Sequence, residues 1–220
     1  GKDFENRSVS HPYEPGSVAK VVTAAAALQE GVTTPDEVHQ VPGSIDMAGV
    51  TVNDAWEHGT EPYTTTGIFG KSSNVGTLMI ADKLGQEKYA EYLKKFGLGN
   101  TTGVELPNES AGSVPDLEQW SGGTFANLPI GQGQSWTTLQ MASVYQALAN
   151  GGERIEPRII DSVKGPDGKD EKLEEPEKNQ VVSPETAKTT VDMFRAVFQD
   201  DEAGVQNGTA GNAQLKGYQL

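Results

Sequence analysis

A single α+β domain in which helices predominate is the fold class that this 220-residue sequence predicts, on three observations. Apolar residues recur at spacings of three and four in several stretches, the period of a helix packed on one side. Strand-like runs are few and short, chiefly Val50-Thr51-Val52 and the stretch from Arg154 to Val163. Between these elements glycine and proline crowd the chain, and both interrupt regular structure. A chain of this length hides roughly 70% of its unfolded surface on folding, enough for one core, and no internal repeat divides it.

The elements follow in order. The first sixteen residues are polar and end in Tyr13-Glu14-Pro15-Gly16, where the backbone is about to change direction. A helix is expected from Ser17, acting as its cap, to Glu30, with Gly31 as the stop. Small apolar residues fill all its faces, which marks a helix surrounded by protein. Residues 31 to 66 contain Pro35, Pro42, Gly43, Gly49 and Pro62 and read as loop-rich. After Gly70-Lys71-Ser72-Ser73-Asn74, helical spacing returns at Val75, Leu78 and Met79, then at Tyr89, Tyr92, Leu93 and Phe96, with Gly85 and Gly97 dividing and ending the pair.

Residues 100 to 135 are again rich in turn formers. Thr137 and Gln140 then form a capping box, in which each side chain serves the other's backbone N–H, and open an amphipathic helix reaching to Asn150. A strand from Arg154 to Val163 is expected to lead into the charged run 165 to 180, a solvated hairpin or loop. Ser183 caps a last helix, with Pro184 at its first position, where a missing N–H costs nothing.

Composition excludes several functions. With 17 basic and 31 acidic residues the net charge is -14, which repels phosphate backbones and anionic lipid headgroups, so no nucleic-acid partner is expected. Cysteine is absent, so there is neither a disulfide framework nor a thiolate metal site. His11, His39 and His58 are scattered over segments read as loops and form no ligand pair, so they are expected to be solvated, and neither a metal nor another cofactor is called for. The most apolar stretch, Val18 to Leu28, carries Lys20 and falls short of the ~20 residues that span a bilayer.

Two constellations carry chemistry. Ser-x-x-Lys occurs once, at Ser17 and Lys20, although about one match is expected by chance in a chain with these residues. Its weight comes from placement. A serine at the N-terminus of a buried helix meets the positive end of the helix dipole, and Lys20 lies one turn along on the same side. The plain alternative is an N-cap serine with a lysine that snorkels to water. As a general base Lys20 must shed its proton near neutral pH, against an ordinary value near ~10.4, and an apolar neighbourhood of Val21, Val22 and Ala24 favours that. Ser72-Ser73-Asn74, the only Ser-x-Asn in the chain, puts a hydroxyl and an amide on one short loop, able to relay a proton and hold a substrate amide. Its alternative is a helix cap. A phosphate loop at Gly70-Lys71-Ser72 fails because position 65 is Thr65 rather than glycine.

Together, Tyr13 to Lys20 and Gly70 to Gly76 resemble the first two signatures of the penicillin-binding proteins, Ser-x-x-Lys acyl enzymes. Val52-Asn53-Asp54-Ala55-Trp56, Asn127 to Gln134 and Gly217-Tyr218-Gln219-Leu220 resemble the division-type class B branch, above all its actinobacterial members. The resemblance implies that Ser17 attacks the carbonyl of a D-alanyl-D-alanine stem peptide of peptidoglycan, that Lys20 takes its proton, and that Ser72 and Asn74 assist the leaving group. Ser73, Gly131, Gln132 and Gly133 are the implied substrate contacts. β-Lactam antibiotics are implied ligands of Ser17, and cell-division proteins are implied partners.

The fold implied is the β-lactamase and penicillin-binding transpeptidase class, a five-stranded antiparallel sheet beside a helical subdomain. The third signature, Lys-Thr-Gly, is missing, and Lys188-Thr189-Thr190 falls inside an expected helix. Residues 1–220 are therefore expected to be a partial transpeptidase domain, mainly its helical subdomain, cut before the Lys-Thr-Gly strand and lacking the membrane anchor and pedestal. Expressed alone, such a piece is expected to show little penicillin acylation. The resemblance places the parent protein at the extracytoplasmic face of the bacterial cytoplasmic membrane. Other readings of the same motifs are a β-lactamase or D,D-carboxypeptidase, or a non-catalytic β-lactam sensor or division scaffold.

Overall fold

The computed structural model describes residues 5–171, 173–199, 208–213 and 215–218. The helix expected after Gly16 is α2, Lys20–Gln29, preceded by a 3-10 turn over Gly16–Ala19; a short α1, Arg7–Ser10, lies ahead of both. Every residue of α2 from Lys20 to Ala27 is buried. It packs against α4 (Asn74–Leu84), α5 (Gln86–Lys95) and α8 (Pro184–Phe194), and its alanines are what let those helices come close. The expected boundaries at Gly85, which separates α4 from α5 at φ 85, and at Gly97, φ 78, are observed. So is the capping box of α7, Thr138–Ala149, with Gln140 N–H donating to Thr137 Oγ1 and Thr137 N–H to Gln140 Oε1.

Elsewhere the chain contains more order than its composition suggests. Residues 31 to 66 hold β1 (Val38–Val41), β2 (Ser44–Met47), β3 (Val50–Asn53) and β4 (Glu61–Thr64), with α3 (Thr65–Gly70) following directly. β1 pairs antiparallel with β4, from Val38 opposite Thr64 to Val41 opposite Glu61, and β2 with β3, from Ser44 opposite Asn53 to Met47 opposite Val50. A short α6, Gly122–Phe125, interrupts the next loop region.

The single strand expected over Arg154 to Val163 is corrected. β5 spans only Glu153–Ile155, Pro157 follows at once, and β6 is Val163–Lys164. β6 forms the solvated hairpin with β7 (Asp170–Glu171), while β5 pairs with β8 (Lys178–Gln180). All sheets among the described residues are two-stranded, so the helices form the bulk of the molecule. Ser183 caps α8 through Thr186 N–H, and Lys188-Thr189-Thr190 lies within that helix. Gln219 and Leu220, the end of the last resembling segment, lie outside the described residues.

One core wraps α2. Val21, Val22, Ala25 and Ala26 meet Tyr89, Tyr92, Leu93, Phe96, Trp136, Val144 and Leu148 on one side, and Ala24 and Ala27 meet Tyr63, Ile68, Phe69 and Ile80 on the other. Burying each such aliphatic side chain contributes about 1.5–3 kcal/mol. Tyr89 is fully buried and its hydroxyl donates to the Leu128 carbonyl at 3.0 Å, as a buried phenol requires.

The expectation of solvated histidines holds for His11 alone. His39 sits on β1, 5% exposed, within reach of the Thr33 and Thr65 hydroxyls. The His58 side chain is 2% exposed, beside Asp54. His39 is reached by Thr65, 26 residues on, whereas His58 is packed by its near neighbours Asp54, Trp56 and Tyr63, whose arrangement the spacing does not reveal.

Candidate active site

The chain reaches α2 through Pro15, which is buried, and Gly16, whose φ of 57 suits a residue without Cβ. Ser17 is exposed on the 3-10 turn that follows, and Lys20 N–H donates to its carbonyl. Ser17 is thus not the expected N-cap: the turn and α2 are capped by Pro15 and Ala19, and among the described residues the Ser17 side chain has no hydrogen bond.

Three long-range contacts fix this turn. Gly16 N–H donates to the Gly131 carbonyl at 3.1 Å, Tyr13 and Trp136 exchange backbone bonds of 2.9 Å, and Gly133 N–H donates to Glu14 Oε1 at 3.0 Å. Gly131 has φ 82, and a Cβ there would collide with the Gly16 carbonyl oxygen. The N–H groups of Gly131 and Gly133, both expected to contact substrate, are bonded to the Leu128 carbonyl and to Glu14, so these glycines form a backbone shelf under the Ser17 turn. Gln132 is exposed between them, with its own N–H on the Asn127 carbonyl.

Lys20 is 1% exposed and points away from solvent, so it does not snorkel. Its Nζ donates to the Ser72 carbonyl at 2.7 Å, to Ser72 Oγ at 3.0 Å and to Asn74 Oδ1 at 2.7 Å. Burial lowers the amine from 10.5 to about 8, with the Asp54 carboxylate pulling the other way. The two chemical constellations of the sequence are therefore one site, joined through this amine. Among the described residues no hydrogen bond runs from Ser17 Oγ to Lys20; the two are related by the helical turn between them.

Ser72 lies at φ 57, a region a non-glycine residue enters at a cost of about 1–3 kcal/mol. Such a conformation persists only where its surroundings fix it, and Lys20 does so through two bonds to this one residue. Asn74 is held at its other end, Nδ2 donating to the Asn53 carbonyl at 3.1 Å. Ser73, expected as a substrate contact, is completely buried, caps α4 by accepting from Gly76 N–H at 2.8 Å, and donates its hydroxyl to Asp54 Oδ2 at 2.8 Å. The capping reading of this motif thus holds for Ser73, while Ser72 and Asn74 remain directed at Lys20.

Sequence reasoning missed Asp54 as part of this site. Its carboxylate also accepts from Val75 N–H at 3.0 Å and lies 3.0 Å from His58 Nε2. The only signal was that Asp54 falls in a segment, Val52 to Trp56, noted for its resemblance alone.

A serine free at the head of an interior helix, with a lysine one turn on that shares its amine with a Ser-x-Asn loop, is the geometry of the Ser-x-x-Lys acyl-enzyme proteins. The chain belongs to the penicillin-binding protein transpeptidase domain family, which matches residues 1–220. It is 61% identical over 219 residues to the penicillin-binding protein PbpB of Mycolicibacterium smegmatis and 58% identical to PbpB of Mycobacterium tuberculosis, in each case over 100% of this chain. It is 30% identical to the peptidoglycan D,D-transpeptidase FtsI of Escherichia coli over 99% of this chain. It spans about a third of these proteins, namely 34%, 32% and 34% of their lengths. Its structure matches the crystal structure of penicillin-binding protein 3 from M. tuberculosis complexed with aztreonam, with a TM-score of 0.94 at 58% identity, over 98% of this chain and 48% of that one. The fold expected from the sequence is thereby shown. Among the described residues no helix is long and apolar enough to cross a membrane.

Proposed function

We propose that this chain supplies the nucleophile, base and relay groups of a division-type peptidoglycan D,D-transpeptidase, with Ser17 forming an acyl enzyme. The observation that carries this reading is the Lys20 amine, buried, lowered to about 8, and shared between Ser72 and Asn74 one helical turn from Ser17.

As an ammonium, Lys20 spends all its N–H groups on three acceptors. Loss of a proton frees a lone pair, which takes the Ser17 proton as Oγ attacks the carbonyl of the penultimate D-alanine. The C–N bond then breaks, and the amine of the terminal D-alanine leaves with a proton delivered from Lys20 through Ser72 Oγ, which stands 3.0 Å from Nζ. Asn74 orients the donor strand through its amide. The ester on Ser17 is opened by the amine of a second stem peptide, which returns the serine proton through the same relay. A β-lactam is attacked in the same way, its ring C–N bond breaking in place of the peptide. Relatives carrying the names penicillin-binding protein and D,D-transpeptidase, and neighbouring structures complexed with aztreonam and ampicillin, support the choice of substrate class. Action outside the cytoplasmic membrane, alongside division proteins, belongs to the same proposal.

Intact-mass spectrometry of the full-length protein with benzylpenicillin tests it. A stoichiometric mass gain in the wild type that is absent in Ser17→Ala is the expected result. An unmodified wild type would leave only a scaffold, and a gain retained in Ser17→Ala would move the nucleophile elsewhere.

A further inference from the structure

Lys20 holds Ser72, and the segment between β3 and β4 holds the residues that follow it. Asn53 offers its carbonyl to Asn74, and the Asp54 carboxylate binds Ser73 Oγ, Val75 N–H and the His58 ring. Asp54 thus grips the residues on either side of Asn74 with a side chain that is 0% exposed. His58 is wedged against it, stacked on Trp56 at 5.3 Å and edge-on to Tyr63 at 6.0 Å, with Nδ1 buried and unpartnered among the described residues. A buried polar nitrogen without a partner is unfavourable, so the ring's bond to Asp54 offsets part of that cost.

We propose that Asp54 is the positioning residue of the Ser72–Asn74 relay loop and that His58 holds the Asp54 carboxylate in place. This role rests on the acyl-enzyme reading above. Neither residue touches the reacting atoms; Asp54 acts through the cap of α4 and through its charge.

The charge makes the role separable from mere structural support. The charged or titratable side chains around the loop include Asp54, His58, Tyr63 with its partner Glu61, and Lys71, which lies over the Trp56 and Tyr63 rings. Asp54 acts on the Lys20 charge, favouring the ammonium against burial. Neutralising it leaves burial unopposed, so the base is freed at lower pH even as its partners lose their alignment.

The test is stopped-flow acylation of the full-length protein by a fluorescent penicillin, separating initial binding from the acylation step, across pH 6 to 10. Asp54→Asn is expected to slow the acylation step by about tenfold to a hundredfold, the scale of a small misplacement of reacting groups. Initial binding should be little changed, and the rise of rate with pH should move to lower pH. His58→Gln, which retains the carboxylate, should slow the step less and leave that rise where it is. Asp54→Asn acylating at the wild-type rate with an unmoved profile would overturn the proposal. So would His58→Gln matching wild type, the arm that decides if Asp54→Asn does not fold. A wild type that is never acylated refutes the catalytic reading instead, which keeps the two failures distinct.

Discussion

Lys20 Nζ lies 2.7 Å from Asn74 Oδ1, although 53 residues separate the two along the chain. That contact joins into one cluster two motifs that the sequence shows only separately, with a buried amine at its centre.

Since the Lys20 amine is lowered to about 8, acylation by penicillin is expected to rise with pH through that value as the neutral amine forms. A profile flat from pH 6 to 10 in wild-type protein would rule Lys20 out as the base. Linkage gives a second consequence. Between about 8 and 10.5 the unfolded chain holds the proton and the folded one does not, so stability rises with pH across that window and is lower by about 3 kcal/mol below it. Urea unfolding at pH 7 and pH 9.5 measures the change, with Lys20→Met as the variant that should flatten it.

Gly131→Ala should be disproportionate for the addition of one methyl group. It forces a Cβ onto the Gly16 carbonyl at a φ of 82, so the turn carrying Ser17 must shift. A loss of at least about 1–3 kcal/mol in thermal unfolding and of tenfold or more in acylation rate is expected. Wild-type behaviour in both would show that the shelf is not needed.

His39 is lowered below 6.5, first by burial and then by Lys83, with Glu37 opposing. As pH falls below about 6.5 the unfolded chain takes up the proton before the folded one does, so this residue subtracts stability in acid. The difference in unfolding free energy between pH 7 and pH 5 should be smaller in His39→Gln than in wild type. Equal differences would show that the buried ring is not sensed.

Thr137→Ala removes one half of the capping box on α7 and should cost about 0.5–2 kcal/mol, since Gln140 N–H loses its partner. α7 packs mainly on β5 and α8, so acylation by the surviving folded protein should stay within about twofold of wild type.

The helices were legible because their signals are local. Thr137 and Gln140 are three residues apart, Ser183 and Pro184 adjacent, and Gly85 and Gly97 stop helices by their own backbone freedom. The motif at Ser17 and Lys20 was legible for the same reason. What escaped is held by contacts between distant segments. β1 and β4 read as loop because Pro42 and Pro62 stand at or within them, yet Pro62 occupies a two-stranded edge where a missing N–H is tolerated. Ser17 was assigned as a cap because composition does not reveal that the first turn winds as a 3-10 helix against Gly131. Asp54 carries no marker distinguishing it from a surface carboxylate; its burial exists only once β3 brings it beside Ser73.

Lys20 opens α2, buried along its length to Ala27, with Ser17 on the exposed turn just ahead of it, whereas Ser72 lies on the short link after α3 and Asn74 begins α4. One buried amine bridges these two segments through three hydrogen bonds, so any displacement of one against the other must first break contacts of Lys20.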